Sequence, residues 1–278
     1  MRLFDTHAHL DLPPFDSAEE QRSAGLRAQV AGIAAILIPG IKPSSWSGTT
    51  DAAITLGAHA PNVRFHTAFG VHPHALRDLQ PENDKHLARE LKEALYATNS
   101  GLVAIGECGL DFGSRGIKIA RHRQLAVLDT HLAASRETGL PLLLHCVRAH
   151  GVLLERLLAA PLPPAILHSF SGSAEVARAL CRAGHYISFA GSVTLPNAKR
   201  PQRCAAAVPA AHLLLETDSP DQTPFDRRPA TNEPAFLVDI AAQIAAIRGV
   251  SPKELAERTT ENACRALRVT LPPALLGF

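Results

Sequence analysis

The 278-residue chain is 46% hydrophobic and 19% charged, which excludes a predominantly disordered state and fits a protein with a real core. Its formal net charge of +2 excludes a protein that holds nucleic acid by bulk charge, though not one with a local basic groove. The five cysteines (Cys108, Cys146, Cys181, Cys204, Cys264) are scattered and form no C-x-x-C pair, so they are neither a disulfide framework nor a structural zinc site and fit a reducing cytoplasm. The one compositional excess is fourteen histidines, a residue that ligates metals and titrates near neutral pH.

Short apolar runs alternate with amphipathic stretches. In chain order the runs are Leu3–Asp5, Ile33–Ile38, Phe65–Val71, Leu102–Ile105, Leu140–Leu144, Ala165–Leu167, Tyr186–Phe189 and Leu213–Leu215. Most are rich in Ile, Val, Leu and Phe and read as buried parallel strands. Helical stretches between them include Glu82–Thr98, Ile119–Thr138, Val152–Leu158 and Ala174–Ala183, the last with Ser173 placed to cap it. Glu233–Arg248 and Pro252–Leu267 follow the eighth run, with Ser251 as N-cap and Pro252 at the first helical position. Thr217–Pro234, with four prolines, reads as a long loop. Residues Leu271–Phe278 are expected to pack on the barrel or at a subunit contact. Eight strand–helix repeats predict a (β/α)8 TIM barrel forming a single domain over residues 1–278. An open doubly wound sheet is the alternative, and the absence of G-x-G-x-x-G after the first strand counts against its dinucleotide-binding version. No apolar h-region occupies the N-terminus, and no run approaches about 18 apolar residues, so neither a signal peptide nor a membrane span is expected.

In such a barrel the working residues sit at the C-terminal ends of the strands. By that rule the first run leads into His7 and His9, the third into His72 and His74, and the fourth ends in Glu107. The fifth ends in His145, the sixth in His168, and the eighth leads into Glu216-Thr217-Asp218. Any one histidine is more simply a satisfied core or loop residue. Metal-type side chains at one end of six runs call for a shared cause. His7 and His9, two apart on an extended segment, have Cα atoms about 6–7 Å apart and face the same way, so both imidazoles reach one ion. Glu107 can bridge two cations, which a neutral imidazole cannot. Asp218, beside an ion, can be ligand and proton acceptor together.

These motifs resemble the TatD family of metal-dependent deoxyribonucleases. The resemblance rests on Asp5-Thr6-His7-Ala8-His9-Leu10-Asp11, Gly70-Val71-His72-Pro73-His74 and Ile105-Gly106-Glu107-Cys108-Gly109-Leu110-Asp111. It extends through Leu144-His145, His168-Ser169-Phe170-Ser171-Gly172, Glu216-Thr217-Asp218-Ser219-Pro220 and Asn232-Glu233-Pro234. It implies a barrel of the amidohydrolase superfamily carrying two divalent cations. His7, His9, Glu107 and Asp218 would hold the first, and Glu107, His145 and His168 the second. His72 and His74 would line the substrate pocket. The implied activity is hydrolysis of DNA, often from the 3′ end. Some relatives instead release D-amino acids from aminoacyl-tRNA. Three features depart from the family pattern. Arg148 lies three places after His145 rather than two, which affects its role as a phosphate contact. Leu128 and His131 replace an aromatic and an amide residue, and Cys108 replaces an aliphatic one.

The expected chemistry is hydrolysis of a phosphodiester, with Asp218 accepting the proton of water and His72, His74 and Arg148 facing the phosphate. Mixed nitrogen and carboxylate donors suit Zn, Mn, Ni or Fe, while Mg prefers oxygen-rich sites. The expected partner is DNA, single-stranded or at 3′ ends, handled by a monomer or weak homo-oligomer. A D-aminoacyl-tRNA deacylase or another ester hydrolase on the same barrel is the rival. A lactonase- or amidase-type site closed by a carboxylated lysine is disfavoured, because no lysine lies between Lys92 and Lys118. A non-catalytic scaffold would be expected to lack ligands, and none is missing. Phe112, Phe170 and Phe225 are candidates to stack on a base. Arg115, Lys199, Arg200, Arg227 and Arg228 are candidates to guide the backbone.

Overall fold

Every residue of Ile33–Gly40 is buried, as a strand covered on both faces must be. This is β2 of a sheet of eight strands, all parallel, paired in sequence order. The computed structural model describes residues 2–97, 101–113 and 118–276. Its elements alternate strictly through the first fifteen: β1 Leu3–Asp5, α1 Ala18–Ala31, β2, α2 Trp46–His59, β3 Arg64–Phe69, α3 Asp84–Tyr96, β4 Leu102–Asp111, α4 Arg121–Thr138, β5 Leu142–Val147, α5 His150–Leu158, β6 Ala165–Leu167, α6 Ala174–Arg182, β7 Tyr186–Phe189, α7 Lys199–Ala207 and β8 Leu213–Leu215. Helices α8 (Leu237–Arg248) and α9 (Pro252–Leu267) complete the ring. A parallel bridge between Ala8 and Ser219 brings the ends of the sheet together, with the Thr6 amide donating to Leu215 O at 3.1 Å. The eight predicted runs thus each overlap a strand of the (β/α)8 barrel.

Helix ends follow capping chemistry. Ser173 Oγ accepts the Val176 amide and Ser251 Oγ the Glu254 amide, with Pro252 in the first turn. Two buried layers result. Outward strand residues such as Ile36, Ile38, Cys108 and Leu144 pack on the helices. Phe4, Ala35, Leu37, Ala68, Ala104, Leu143, Ile166 and Leu214 fill the interior together with Ala263, Ala266 and Leu267 of α9. Leu271 and Leu275 are buried in the same cluster, so this tail packs on the barrel; residues 277–278 lie outside the described residues. Among the described residues no single helix is long and apolar enough to cross a membrane.

Two boundaries differ in ways that matter for the site. The fourth strand does not end before Glu107 but continues to Asp111. Pairing with β5 slips between Ile105 and Cys108, a bulge of the kind that re-aims a side chain. Gly106 and Gly109 both have φ of 142°, where L side chains rarely go, and a β-carbon at Gly106 would lie 2.3 Å from Leu143 O. The fifth strand runs to Val147, so His145 sits within it rather than at its end. Helix α3 stops at Tyr96, and Thr98 of the predicted stretch is outside the described residues.

Candidate metal centre

His7 and His9 follow β1 on an extended segment held by the Ala8–Ser219 bridge. Their Nε2 atoms lie 3.1 Å apart. Glu107 Oε2 is 3.4 Å from His7 Nε2 and 3.5 Å from His9 Nε2, and Asp218 Oδ1 is 3.5 Å from His7 Nε2. The other oxygen of the same carboxylate faces a second group. Glu107 Oε1 is 2.8 Å from His168 Nε2, 3.1 Å from His145 Nδ1 and 3.3 Å from His72 Nε2. His145 Nδ1 and His168 Nε2 are 3.0 Å apart. Glu107 thus presents one oxygen to each of two donor sets, and its side chain is only 2% exposed.

The donor set fits divalent cations. Four nitrogen and oxygen ligands at about 2.0–2.2 Å around a tetrahedral ion stand about 3.3–3.6 Å from one another, close to the 3.1–3.5 Å spacings of the first group. The cluster is not satisfied by its own hydrogen bonds. The Nδ1 atoms of His7, His9 and His168 are buried without hydrogen-bond partners, while their Nε2 atoms are the ones aimed into the two donor sets.

The electrostatics are strongly coupled. Burial pushes the Glu107 carboxyl up, but His72, His168, His7 and His145 outweigh it and hold it well below the usual carboxylate range. Burial lowers His7, with His168 adding to the effect, and pushes His72 down to about 4. Burial also disfavours the His168 imidazolium, yet Glu107, Glu216 and Asp218 overcome it and raise that group well above its ordinary value.

Around this centre stands a shell that sequence reasoning left without roles. Asp5 is fully buried and accepts the Thr217 amide at 2.9 Å and the Thr217 hydroxyl at 2.6 Å, joining the segments that carry His7 and Asp218. Burial pushes its carboxyl up to about 8. Glu216, also fully buried, accepts the Ser169 amide and lies 3.6 Å from His168 Nδ1. The Gln222 amide donates to Asp218 Oδ2 and Ser169 Oγ. Asp111 Oδ2 faces His74 Nε2 at 3.0 Å and His145 Nε2 at 3.4 Å. Burial raises Asp111, but hydrogen bonds from His145 and His74 bring it below its ordinary range. The missed signal at Asp111 was the period of two: Glu107, Gly109 and Asp111 alternate along one strand.

The other expected residues divide. His72 joins the second group at Glu107, whereas His74 is turned to Asp111 and is 42% exposed. Arg148 is exposed just beyond β5, with φ of 53° and no hydrogen bond or ion pair among the described residues. Phe170 is buried against His150, Phe112 lies under the Arg121 guanidinium at 4.7 Å, and Phe225 is 47% exposed. Arg227 is engaged with Asp239 at 2.8 Å and stacks on Phe236. Arg228 donates to Thr223 O at 3.1 Å, and Lys199 and Arg200 open α7 exposed. Arg115 lies outside the described residues.

Comparison with known proteins identifies the relatives of this arrangement. A family model described as TatD related DNase matches residues 4–268. The uncharacterized metal-dependent hydrolase YabD of Bacillus subtilis is 34% identical over 269 residues, covering 96% of this chain and 99% of its own length. The 3′-5′ ssDNA/RNA exonuclease TatD of Yersinia pseudotuberculosis is 34% identical over 274 residues, covering 96% of this chain and 100% of its own. The crystal structure of YjjV, a TatD homologue from Escherichia coli K12, superimposes with a TM-score of 0.84 at 29% identity, covering 96% of this chain and 98% of that one. With a family match over nearly its whole length and relatives that align end to end, the chain belongs to the TatD family of metal-dependent hydrolases.

Proposed function

We propose that the chain hydrolyses phosphodiester bonds at DNA ends, as a 3′-5′ exonuclease-like enzyme with two divalent cations. The observation that carries this reading is the division of Glu107 between two donor sets. His7, His9, Glu107 and Asp218 hold the first ion; Glu107, His145 and His168 hold the second. Bound cations supply an acidified water and stabilise charge on phosphate and leaving oxygens. Asp218 accepts the water proton: Oδ2 is engaged by Gln222, leaving Oδ1 toward His7. His72 and His74 contact the phosphate, and Arg148, exposed at the rim, meets the strand as it enters. The Yersinia relative, a 3′-5′ ssDNA/RNA exonuclease, supports a single-stranded nucleic acid as substrate. The barrel works as a monomer or weak homo-oligomer in the cytoplasm, without a membrane.

The test is metal content of the purified protein, followed by cleavage of 3′- and 5′-labelled single-stranded DNA with Zn, Mg, Mn, Ni and Fe in turn. Metal-dependent loss of nucleotides from the 3′ end is expected. D-aminoacyl-tRNA is assayed beside it. Hydrolysis of that ester with DNA left intact overturns the nuclease reading in favour of the deacylase.

A further inference from the structure

Along β4, Cys108 and Leu110 pack outward on the helices. Glu107, Gly109 and Asp111 therefore share the inward face. In the parallel register Gly109 stands opposite His145. A β-carbon at Gly109 would come 2.0 Å from His145 O, so the inward face of this strand carries no side chain between its two acids. The His145 ring reaches both of them: Nδ1 is 3.1 Å from Glu107 Oε1 and Nε2 is 3.4 Å from Asp111 Oδ2. Asp111 is itself immobilised. Its Oδ1 accepts the Gly113 amide at 2.7 Å. Its backbone N–H donates to Gln124 Oε1 at 2.8 Å, and Gln124 Nε2 donates back to its carbonyl at 3.0 Å. The helix α4 thereby sets where the carboxylate points.

We propose that Asp111 is a positioning residue of the metal centre: it accepts the Nε2–H of His145, so that the Nδ1 lone pair faces the second ion, and through the same oxygen it tethers His74 of the pocket. An ionised carboxylate only accepts hydrogen bonds. The ring nitrogen facing Asp111 therefore carries the proton, and the nitrogen facing Glu107 is left as the ligand. One carboxylate couples a metal ligand to a substrate contact. The inference rests on the reading of His145 as a ligand.

The experiment is stepwise titration of metal-free full-length protein with Co²⁺ or Zn²⁺ against a competing chelator, for the wild type and Asp111→Asn. The wild type is expected to take up two ions. In the variant the affinity of the second site should fall by about 10- to 100-fold with the first site unchanged, the usual penalty for removing such an outer partner. Equal affinities in the two proteins overturn the proposal. Uptake of three ions by the wild type and two by the variant also overturns it, by making Asp111 a ligand together with His74 and His145. A wild type that takes up only one ion removes the underlying ligand reading, and this inference with it. If the variant does not fold, ¹⁵N spectra of the metal-loaded wild type decide: His145 should carry its proton on Nε2, and a proton on Nδ1 overturns the assignment.

Discussion

The two ends of the barrel are built from the same strands with opposite chemistry. At the floor, Phe4, Leu37, Leu143, Ile166 and Leu214 interdigitate, and α9 closes over them. Asn262 of that helix donates to Leu213 O at 2.9 Å and Thr260 to Arg2 O at 3.1 Å, satisfying strand ends that would otherwise be buried unpaired. At the mouth the same cross-section holds His7, Glu107, His168, Asp5 and Glu216, each at most 5% exposed. Burying those groups costs free energy, and the apolar floor supplies stability that offsets it. Binding and stability therefore sit at opposite poles of the barrel, and substitutions at the two ends should separate them.

Asp218→Asn is the largest expected effect. It removes the proposed proton acceptor and should lower kcat by about 10²- to 10⁴-fold while leaving the melting temperature of the metal-free protein close to that of the wild type. A variant that keeps full nuclease activity ends the role given to Asp218. The opposite pole should give the opposite pattern. Leu214→Ala removes a fully buried floor side chain and should cost about 2–5 kcal/mol of stability, read by urea melts. Metal bound per folded chain should be unchanged. Loss of metal from the folded variant would show that the floor and the mouth are coupled.

The difference between the poles also governs how much was legible in the sequence. Strands are apolar on both faces, so each left a run, and the eight runs located the barrel. The candidate ligands stood out because histidines and acids lie at or just beyond the ends of such runs. Strand β4 was cut short because Glu107 and Asp111 look like the end of a strand when read as polarity. They remain in it because a glycine-bearing bulge turns them inward, where an ion and two imidazoles can receive them. The supporting shell was illegible for a different reason. Asp5 meets Thr217 across 212 residues, and Gln222 depends on Ser169, 53 residues away; no local pattern encodes such pairs. Helix α1 buries Gln21, Ala24, Gly25 and Ala28, small and polar positions that show no apolar stripe.

His131, a histidine away from the mouth, sharpens the contrast, because burial is what lowers it. His131, fully buried on α4, uses Nδ1 against Val127 O at 2.7 Å, and its Nε2 accepts the Val71 amide at 3.1 Å. Burial pushes its pKa down to about 4. A group depressed in the folded state contributes stability that is present above its unfolded value, near 6.5, and lost as pH falls toward 4. Between pH 8 and pH 5 that loss is about 2 kcal/mol. Urea melts of the metal-loaded wild type and His131→Gln across this range should show a shallower pH slope in the variant by that amount. Parallel slopes would show that the ring titrates normally in the fold.

The smallest effect concerns arginines at the rim, and it asks how far the mouth's chemistry extends. Arg227 is occupied, held by Asp239 and stacked on Phe236. Arg148 has no such engagement among the described residues and follows directly on the strand that carries His145. A free cation at the rim contacts phosphate and releases a counterion on doing so. An occupied one must first break its pair, which for a surface interaction returns at most about 1 kcal/mol. Arg148→Ala should therefore raise KM for single-stranded DNA a few-fold and reduce the dependence of log(kcat/KM) on log salt by about 0.7, the share of a single neutralised phosphate on a single strand. Arg227→Ala should leave that slope unchanged and cost only a fraction of a kcal/mol in stability, in line with a half-exposed ion pair. Equal salt slopes for Arg148→Ala and the wild type would confine substrate recognition to the buried centre and its two flanking histidines.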